Sequence, residues 1–482
     1  MYKKNFLLLL ILFINTCNTF AQIFNESVLP NLSNEIMIDI SSDNYGNYFI
    51  SGRISDDNNH VEGFVKKISH NGNLLNVFNL QNFGENSFFN KSILINSNLI
   101  VLGVKNKSTG DVIMYVKLDS NLNLIETVEV PFLQNRIISY YNFLLDPDST
   151  IVISGYSRSN NNSINIRQPF FYKISQSGDS LYSKYVNTTN NQFIYQMHLS
   201  NDSNRYIAFM DGFNPDLGYS GILHLNKNFD TLEHHLFSEY VLHDFASLRI
   251  NDSIFISSTI NIDPPHELRV CLINEYGYVS DYINFSRSNS MREYPSFSPG
   301  ISKNNSNYYI GATSNFDYTN PFYSNIDSWF HLIKMDENLN VFWEKWYGGD
   351  AYYSLNSVLA TSDGGCLMVG TKYPHGIGNQ FIQGHYIKVD ANGDVQWTQD
   401  IEIPELSYKV YPNPTQSGFN IENNELNIQS IELYDISGRY LKSIQDCNNS
   451  TISIDLTPFS NGIYFAKIKS TNGVRTEKVV KN

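Results

Sequence analysis

Cysteine, charge and long apolar runs are all scarce in this chain of 482 residues, and each shortage closes a class of answer. The four cysteines, Cys17, Cys271, Cys366 and Cys447, stand far apart, so neither a disulfide framework nor a metal knuckle is implied. Charged residues make up only 17%, yet acids outnumber bases by 47 to 33, a formal charge of −14. So acidic a chain is repelled by phosphate backbones and anionic lipid, which argues against nucleic acid and membrane surfaces as partners. No apolar stretch reaches the roughly 20 residues that a spanning helix needs, so no transmembrane segment is expected. Local signatures of chemistry are missing too. With no Gly-x-Ser-x-Gly elbow, no P-loop and no dinucleotide fingerprint, the sequence names no catalytic residue, no metal ligand and no cofactor.

Aromatics, by contrast, are plentiful: 32 Tyr and 31 Phe. They suit half-buried strands. Asn, Ser, Asp and Gly recur between short apolar runs and are turn formers. An all-β chain with many turns is expected.

The first residues read as an export signal. Lys3 and Lys4 precede nine apolar residues, Phe6 to Ile14, and then Thr19-Phe20-Ala21, a small-x-small cleavage pattern. Cleavage is expected between Ala21 and Gln22. Residues Ile14-Asn15-Thr16 before Cys17 lack the small side chains that a lipoprotein site needs.

Two patterns then alternate along the chain. The first is an apolar strand ending in a small residue, as in Tyr48-Phe49-Ile50-Ser51-Gly52. It returns from Leu99, Ile151, Tyr206, Ile254, Asn307 and Cys366, at spacings of 51, 52, 55, 48, 53 and 59 residues. The second is Lys-apolar-polar followed by a turn, as in Lys67-Ile68-Ser69 before Asn71-Gly72-Asn73 and Lys388-Val389-Asp390 before Asn392-Gly393-Asp394. Each unit of about fifty residues supplies about four strands, and four-stranded units at this period are β-propeller blades. One blade alone exposes too much apolar face; its neighbours cover it in a closed ring. Residues 22–36 are expected to add a strand to the last blade and fasten the circle.

The best-formed unit carries Tyr347-Gly348-Gly349 and Asp363-Gly364-Gly365 around its innermost strand. It resembles blade repeats of secreted Bacteroidota proteins, a resemblance that runs over about 37–400. The fourth and fifth units depart from it, lacking both glycines.

At Pro404 the period stops. Val410-Tyr411-Pro412-Asn413-Pro414, Tyr434-Asp435-Ile436-Ser437-Gly438-Arg439, Asn461-Gly462-Ile463-Tyr464-Phe465 and Glu477-Lys478-Val479-Val480-Lys481 follow in order. This set resembles the type A sorting domain of the type IX secretion system. The resemblance implies a unit read by the outer-membrane translocon and removed as cargo is released or joined to surface lipopolysaccharide. Alternation in Ile431-Glu432-Leu433-Tyr434 has the period of two of half-buried strands. Pro412 and Pro414 fix φ and stiffen the start of the first strand, and Gly438 and Gly462 sit where hairpins are expected to turn.

The remaining candidates for chemistry read better as structure. His235, Glu239 and His243 would converge on a helix but not along an outer strand. Asp390-Ala391-Asn392-Gly393-Asp394 lacks the sixth-place Gly and twelfth-place Glu of a calcium loop. Thr361 to Gly365 resembles an Asp-box turn without its terminal aromatic. Trp343 and Trp346 could stack a sugar, but outer-strand packing accounts for them as well. The expected fold is therefore all-β: a seven-bladed β-propeller of four-stranded blades followed by a small Ig-like β-sandwich. The expected domains are a signal peptide at 1–21, the propeller at 22–403 and the sorting domain at 404–482. The expected role is a secreted or surface-attached binding protein without catalysis, its ligand a glycan or protein. The alternative is a hydrolase acting on polysaccharide or peptide at the channel mouth.

Overall fold

Short apolar strands separated by turn residues satisfy their backbone polar groups only by pairing with one another. The computed structural model of the protein is built that way throughout. It describes residues 34–482 except 56–59, 81–85, 131–135, 160–165, 187–190, 214–219, 239–241, 261–265, 289, 297–298, 376–380, 401–408, 423–427, 437–438, 446, 448 and 471–472. The cleavage site at Ala21 and Gln22, and the expected border at 403/404, lie outside the described residues. Every regular element among the described residues is a strand. The chain divides into two compact units, Met1–Asp400 and Ile401–Asn482.

In the first unit, sheets follow one another at 34–79, 87–130, 136–185, 191–236, 242–285, 293–348 and 351–400, here called sheets 1 to 7. Six are four-stranded meanders. Sheet 6 has a fifth strand because its first is split into Glu293–Pro295 and Ile301–Asn304. The first strand of each sheet lies against the first strands of its two neighbours, and that of sheet 1 lies against sheet 7 as well as sheet 2. This is propeller packing, and each buried cluster accordingly draws on two adjacent sheets. Leu102, Val104 and Tyr115 of sheet 2, for example, share one with Ile153, Phe170 and Tyr172 of sheet 3.

Residues 34–36 do not extend the last blade. They open Asn34–Ser42, the innermost strand of sheet 1, which pairs with Tyr48–Ser55. Hydrogen bonds tie it to sheet 7 instead. Glu35 N donates to Ile382 O at 2.8 Å, and Asn356 Nδ2 to Met37 O at 2.6 Å.

The small residue ending each second strand has a physical reason. The innermost strand carries a bulge, one extra residue, at Ile38, Asn90, Tyr141, Tyr195 and Asn356 in sheets 1, 2, 3, 4 and 7. A bulge bends its strand and draws a carbonyl towards the partner. Built on Gly52, Gly103 or Gly370, a Cβ would fall far inside contact with the carbonyl of Ile36, Phe88 or Ser354 respectively. Sheet 5 has two register shifts here, and in sheet 6 the first strand is split into Glu293–Pro295 and Ile301–Asn304.

The Lys-apolar-polar turns are alike too. Asp119 Oδ1 accepts from Asn121 N and Asn123 N, both at 2.8 Å, and Asp390 Oδ1 from Asn392 N and Asp394 N at 2.8 and 2.9 Å. The residue before the last has positive φ. Where it is not Gly, as at Leu122 (64°), Phe229 (58°) and Leu339 (61°), the side chain is buried and packing offsets the strain.

The second unit has a three-stranded sheet (Val410–Tyr411, Gly418–Glu422, Thr451–Asp455) and a four-stranded one (Tyr440–Gln445, Ile428–Asp435, Gly462–Ser470, Gly473–Lys481). Phe419, Ile421 and Ile454 of the first meet Ile431, Leu433, Ala466 and Ile468 of the second in one core. It is a β-sandwich.

Candidate functional site

Three places in the molecule hold side chains in arrangements beyond ordinary packing. In the terminal unit, the motifs at its two ends meet. Asn413, between Pro412 and Pro414, turns its amide onto the backbone of the last strand. Its Nδ2 donates to Lys478 O at 2.7 Å and its Oδ1 accepts from Val480 N at 2.9 Å. Thr415 N donates to Val480 O at 2.8 Å, and Asn482 N to Thr415 O at 2.9 Å. The outer edge of Gly473–Lys481 is thus covered, as an exposed strand edge generally must be. Lys481 is buried, and its ammonium donates to Leu456 O and Phe459 O at 3.1 and 2.7 Å. Tyr411 stays partly exposed, with the Lys409 ammonium 5.3 Å from its ring centre.

The other motif residues are structural. Asp435 accepts from Arg439 N and Arg439 Nε, both at 3.0 Å, closing the turn; Gly438 within it lies outside the described residues. Tyr464 is buried and donates its hydroxyl to Ser460 O. Gly462 does not make a turn. It opens the strand Gly462–Ser470 in open space, where a Cβ would meet nothing.

Along the propeller axis the innermost strands are laced together by polar side chains. Asp39 accepts from Lys91 Nζ (3.1 Å) and Ser92 N (2.7 Å); Asn142 Nδ2 donates to Met197 O (3.0 Å); His198 Nε2 meets Ser247 Oγ (2.9 Å). Burial raises the Asp39 carboxyl above its ordinary range against the pull of Lys91. Burial, helped by Arg249, pushes His198 down to about 3, so its imidazole is neutral at physiological pH.

The rim of sheet 6 holds the densest cluster. His331 is fully buried between two carboxylates. Its Nδ1 is 2.9 Å from Glu293 Oε2 and its Nε2 2.9 Å from Glu344 Oε1. Glu293 also accepts from Ser314 Oγ (2.7 Å) and Arg287 N (3.2 Å). Burial works against the charged imidazole, but the two carboxylates outweigh it and hold the His331 pKa above the ordinary value. The ring stacks on Trp346 at 4.9 Å. Beyond lies Arg287, exposed, its guanidinium 3.7 Å from the Trp329 ring centre and 5.7 Å from that of Trp346. Sequence reasoning picked out Trp346 here but neither Arg287 nor His331, which follow no motif.

The remaining candidates resolve plainly. Trp343 Nε1 donates to Ala391 O at 3.0 Å, so this indole packs sheet 6 on sheet 7. In the Asp-box-like turn, Asp363 accepts from Gly365 N (3.0 Å) and Lys388 Nζ (2.7 Å), which makes it a structural brace. His235, in the outer strand Thr231–Leu236, pairs with Glu233 at 2.9 Å; Glu239 and the His243 side chain lie outside the described residues. Among the described residues no three His, Cys, Asp or Glu side chains are placed to hold a metal, and no helix is long and apolar enough to cross a membrane.

Residues 409–482 match the family described as the secretion system C-terminal sorting domain. The match bears out the sorting-domain resemblance: the chain carries the export address of type IX secretion cargo, a protein bound for the cell surface or the medium. No curated protein matches the sequence. Among solved structures, the chain is similar to a protein of unknown function from Dyadobacter fermentans DSM 18053 (10% identity, 60% of this chain and 93% of that one, TM-score 0.39). It is also similar to the β-propeller domain of the Trilobed protease from Pyrococcus furiosus (6%, 78% and 98%, TM-score 0.45). A third is an ulvan lyase of a polysaccharide lyase family, solved with a bound saccharide (8%, 78% and 98%, TM-score 0.45).

Proposed function

We propose that this protein is a non-catalytic binding protein, exported by the type IX system and displayed on the cell surface or released, whose propeller carries the ligand site. Residues 1–21 direct it across the inner membrane, 22–403 form the binding domain, and 404–482 are read by the outer-membrane translocon after passage through the periplasm. The observation that carries the export reading is the sorting-domain match at 409–482. Support for binding rather than hydrolysis comes from sheet 6. The two carboxylates drawn together there, Glu293 and Glu344, both hydrogen-bond His331, whose ring fills the gap that a glycosidic oxygen would have to enter. Deleting residues 404–482 in the native bacterium tests the address. The truncated chain is expected in the periplasmic fraction and the full chain outside the cell; equal export of both overturns the reading. For the propeller, a hydrolase panel run beside a glycan array is expected to show retention on the array and no turnover.

A further inference from the structure

Among the described residues, Arg287 has no acidic partner for its guanidinium, in a chain that has acids to spare. It is exposed, and among the described residues its guanidinium makes no hydrogen bond and no ion pair; only its backbone N–H is engaged, with Glu293. Acids outnumber bases by 47 to 33, so the lack of a partner does not come from a shortage of carboxylates. What holds the cation is aromatic. Trp329 and Trp346 lie on adjacent strands, two residues apart in register (Trp329 opposite Gly348, His331 opposite Trp346), and the guanidinium lies over the first and beside the second. Gly349 backs Trp329 so closely that a Cβ there would overlap the indole.

The two carboxylates of this cluster are engaged elsewhere. Glu293 is fully buried, with acceptors filled by His331, Ser314 Oγ and the Arg287 backbone, and Glu344 faces the other imidazole nitrogen. The fork of N–H donors on the exposed Arg287 is held by the two indole rings, and such a fork matches the paired oxygens of a carboxylate or sulfate. The connection that carries it, 286–292, reads Ser-Arg-Ser-Asn-Ser-Met-Arg, with two arginines and no acid. Its second arginine, Arg292, is likewise held by a ring, 5.0 Å from the centre of Tyr318. Ser286, Ser288 and Ser290 flank Arg287 along the chain; Ser286 Oγ donates to Ser288 O at 2.9 Å and Ser288 Oγ meets Ser290 Oγ at 3.2 Å, so the connection is polar and suits a sugar better than an apolar peptide side chain.

We propose that Arg287 is the anion-reading residue of a site for acidic saccharides, gripping a carboxylate or sulfate on a sugar ring at the rim of sheet 6, with its guanidinium held in place by the rings of Trp329 and Trp346. The proposal rests on the binding role put forward above and names its ligand class.

The test uses the full mature chain and three probes, polygalacturonate for carboxylate, dextran sulfate for sulfate and uncharged dextran, in affinity electrophoresis at low and high salt. Retention by at least one charged probe and none by dextran is expected, with Arg287→Ala weakening it by about tenfold or more and Arg287→Lys restoring only part, because a point charge lacks the fork. Arg269→Ala, elsewhere on the propeller, is expected to bind as the unaltered protein does. Melting curves of all variants exclude misfolding as the cause. The charged probe retained identifies the source of the anion. Unchanged retention in Arg287→Ala, or no retention of either charged probe, overturns the proposal. In the second case, capture of another ligand on the array leaves the binding role standing, and no capture at all removes both.

Discussion

Sheets 7 and 5 share a kinked innermost strand and set different residues against it. In sheet 7 the bulge at Asn356 presses the Ser354 carbonyl onto Gly370, where no Cβ fits. In sheet 5 the shift falls beside Ser258, paired with Ala246, and in sheet 4 the bulge at Tyr195 stands beside Met210, paired with Ile194. The bulge persists although the glycine does not. The recurring element of the repeat is therefore a kink in the innermost strand; glycine stands where that kink brings two backbones together at Gly52, Gly103 and Gly370, whereas Gly311 of sheet 6 makes room for the side chains of Val358 and Leu355. Sheets 6 and 4 differ in their histidines. In sheet 6 two carboxylates raise the pKa of the buried His331 against its burial, and in sheet 4 desolvation lowers that of His198 beside Ser247.

Each contrast can be broken by substitution. The largest effect is expected from His331→Ala, which strands two carboxylates and should cost about 3–5 kcal/mol in denaturant unfolding. Because the folded pKa of His331 lies above the unfolded value, its contribution is complete below about pH 6.5 and is lost as pH rises through the folded pKa. The deficit of the variant should therefore shrink as pH rises above about 6.5. Gly370→Ala should cost about 1–3 kcal/mol through backbone overpacking, read as a fall in Tm. His198 runs the other way. Its folded pKa of about 3 lies below the unfolded value, so stability is complete above about pH 6.5 and falls as the unfolded chain takes up the proton. His198→Gln should flatten that acid slope by up to about 1.4 kcal/mol per pH unit. Smallest is Ser258→Ala. Sheet 5 already holds a Cβ there, and the buried Ser258 hydroxyl has no partner among the described residues, so a change within about 0.5 kcal/mol is expected. A loss at Ser258→Ala as large as at Gly370→Ala would dissolve the comparison.

Much of the architecture was legible because it repeats. The strand period, the Asp-x-Asn turns and the glycine-ended strands are local, and seven copies reinforce one another. The sorting unit was legible through its motifs. Sheets 4 and 5 read poorly because Met210 and Ser258 hide the bulge that glycine betrays elsewhere. Residues 34–36 fall in sheet 1 and not in the last blade because pairing with Tyr48–Ser55 is a choice made in three dimensions; 22–33 lie outside the described residues. Arg287, on the connection into sheet 6, meets Trp329 and Trp346 of that sheet, and the sense of His331 depends on which carboxylate faces which nitrogen, something no spacing along the chain records. Asn413 was legible as part of a motif, but its grip on the last strand, across 65 and 67 residues, was not.

The central claim is that one end of this chain is an address separable from the cargo it follows. Attaching residues 404–482 to a reporter that already bears a cleavable signal peptide, in a bacterium with a working type IX system, tests it most directly. The account predicts reporter in the medium or accessible to protease on intact cells. Reporter confined to the periplasm, while the unaltered protein reaches the outside of the same cells, would contradict it.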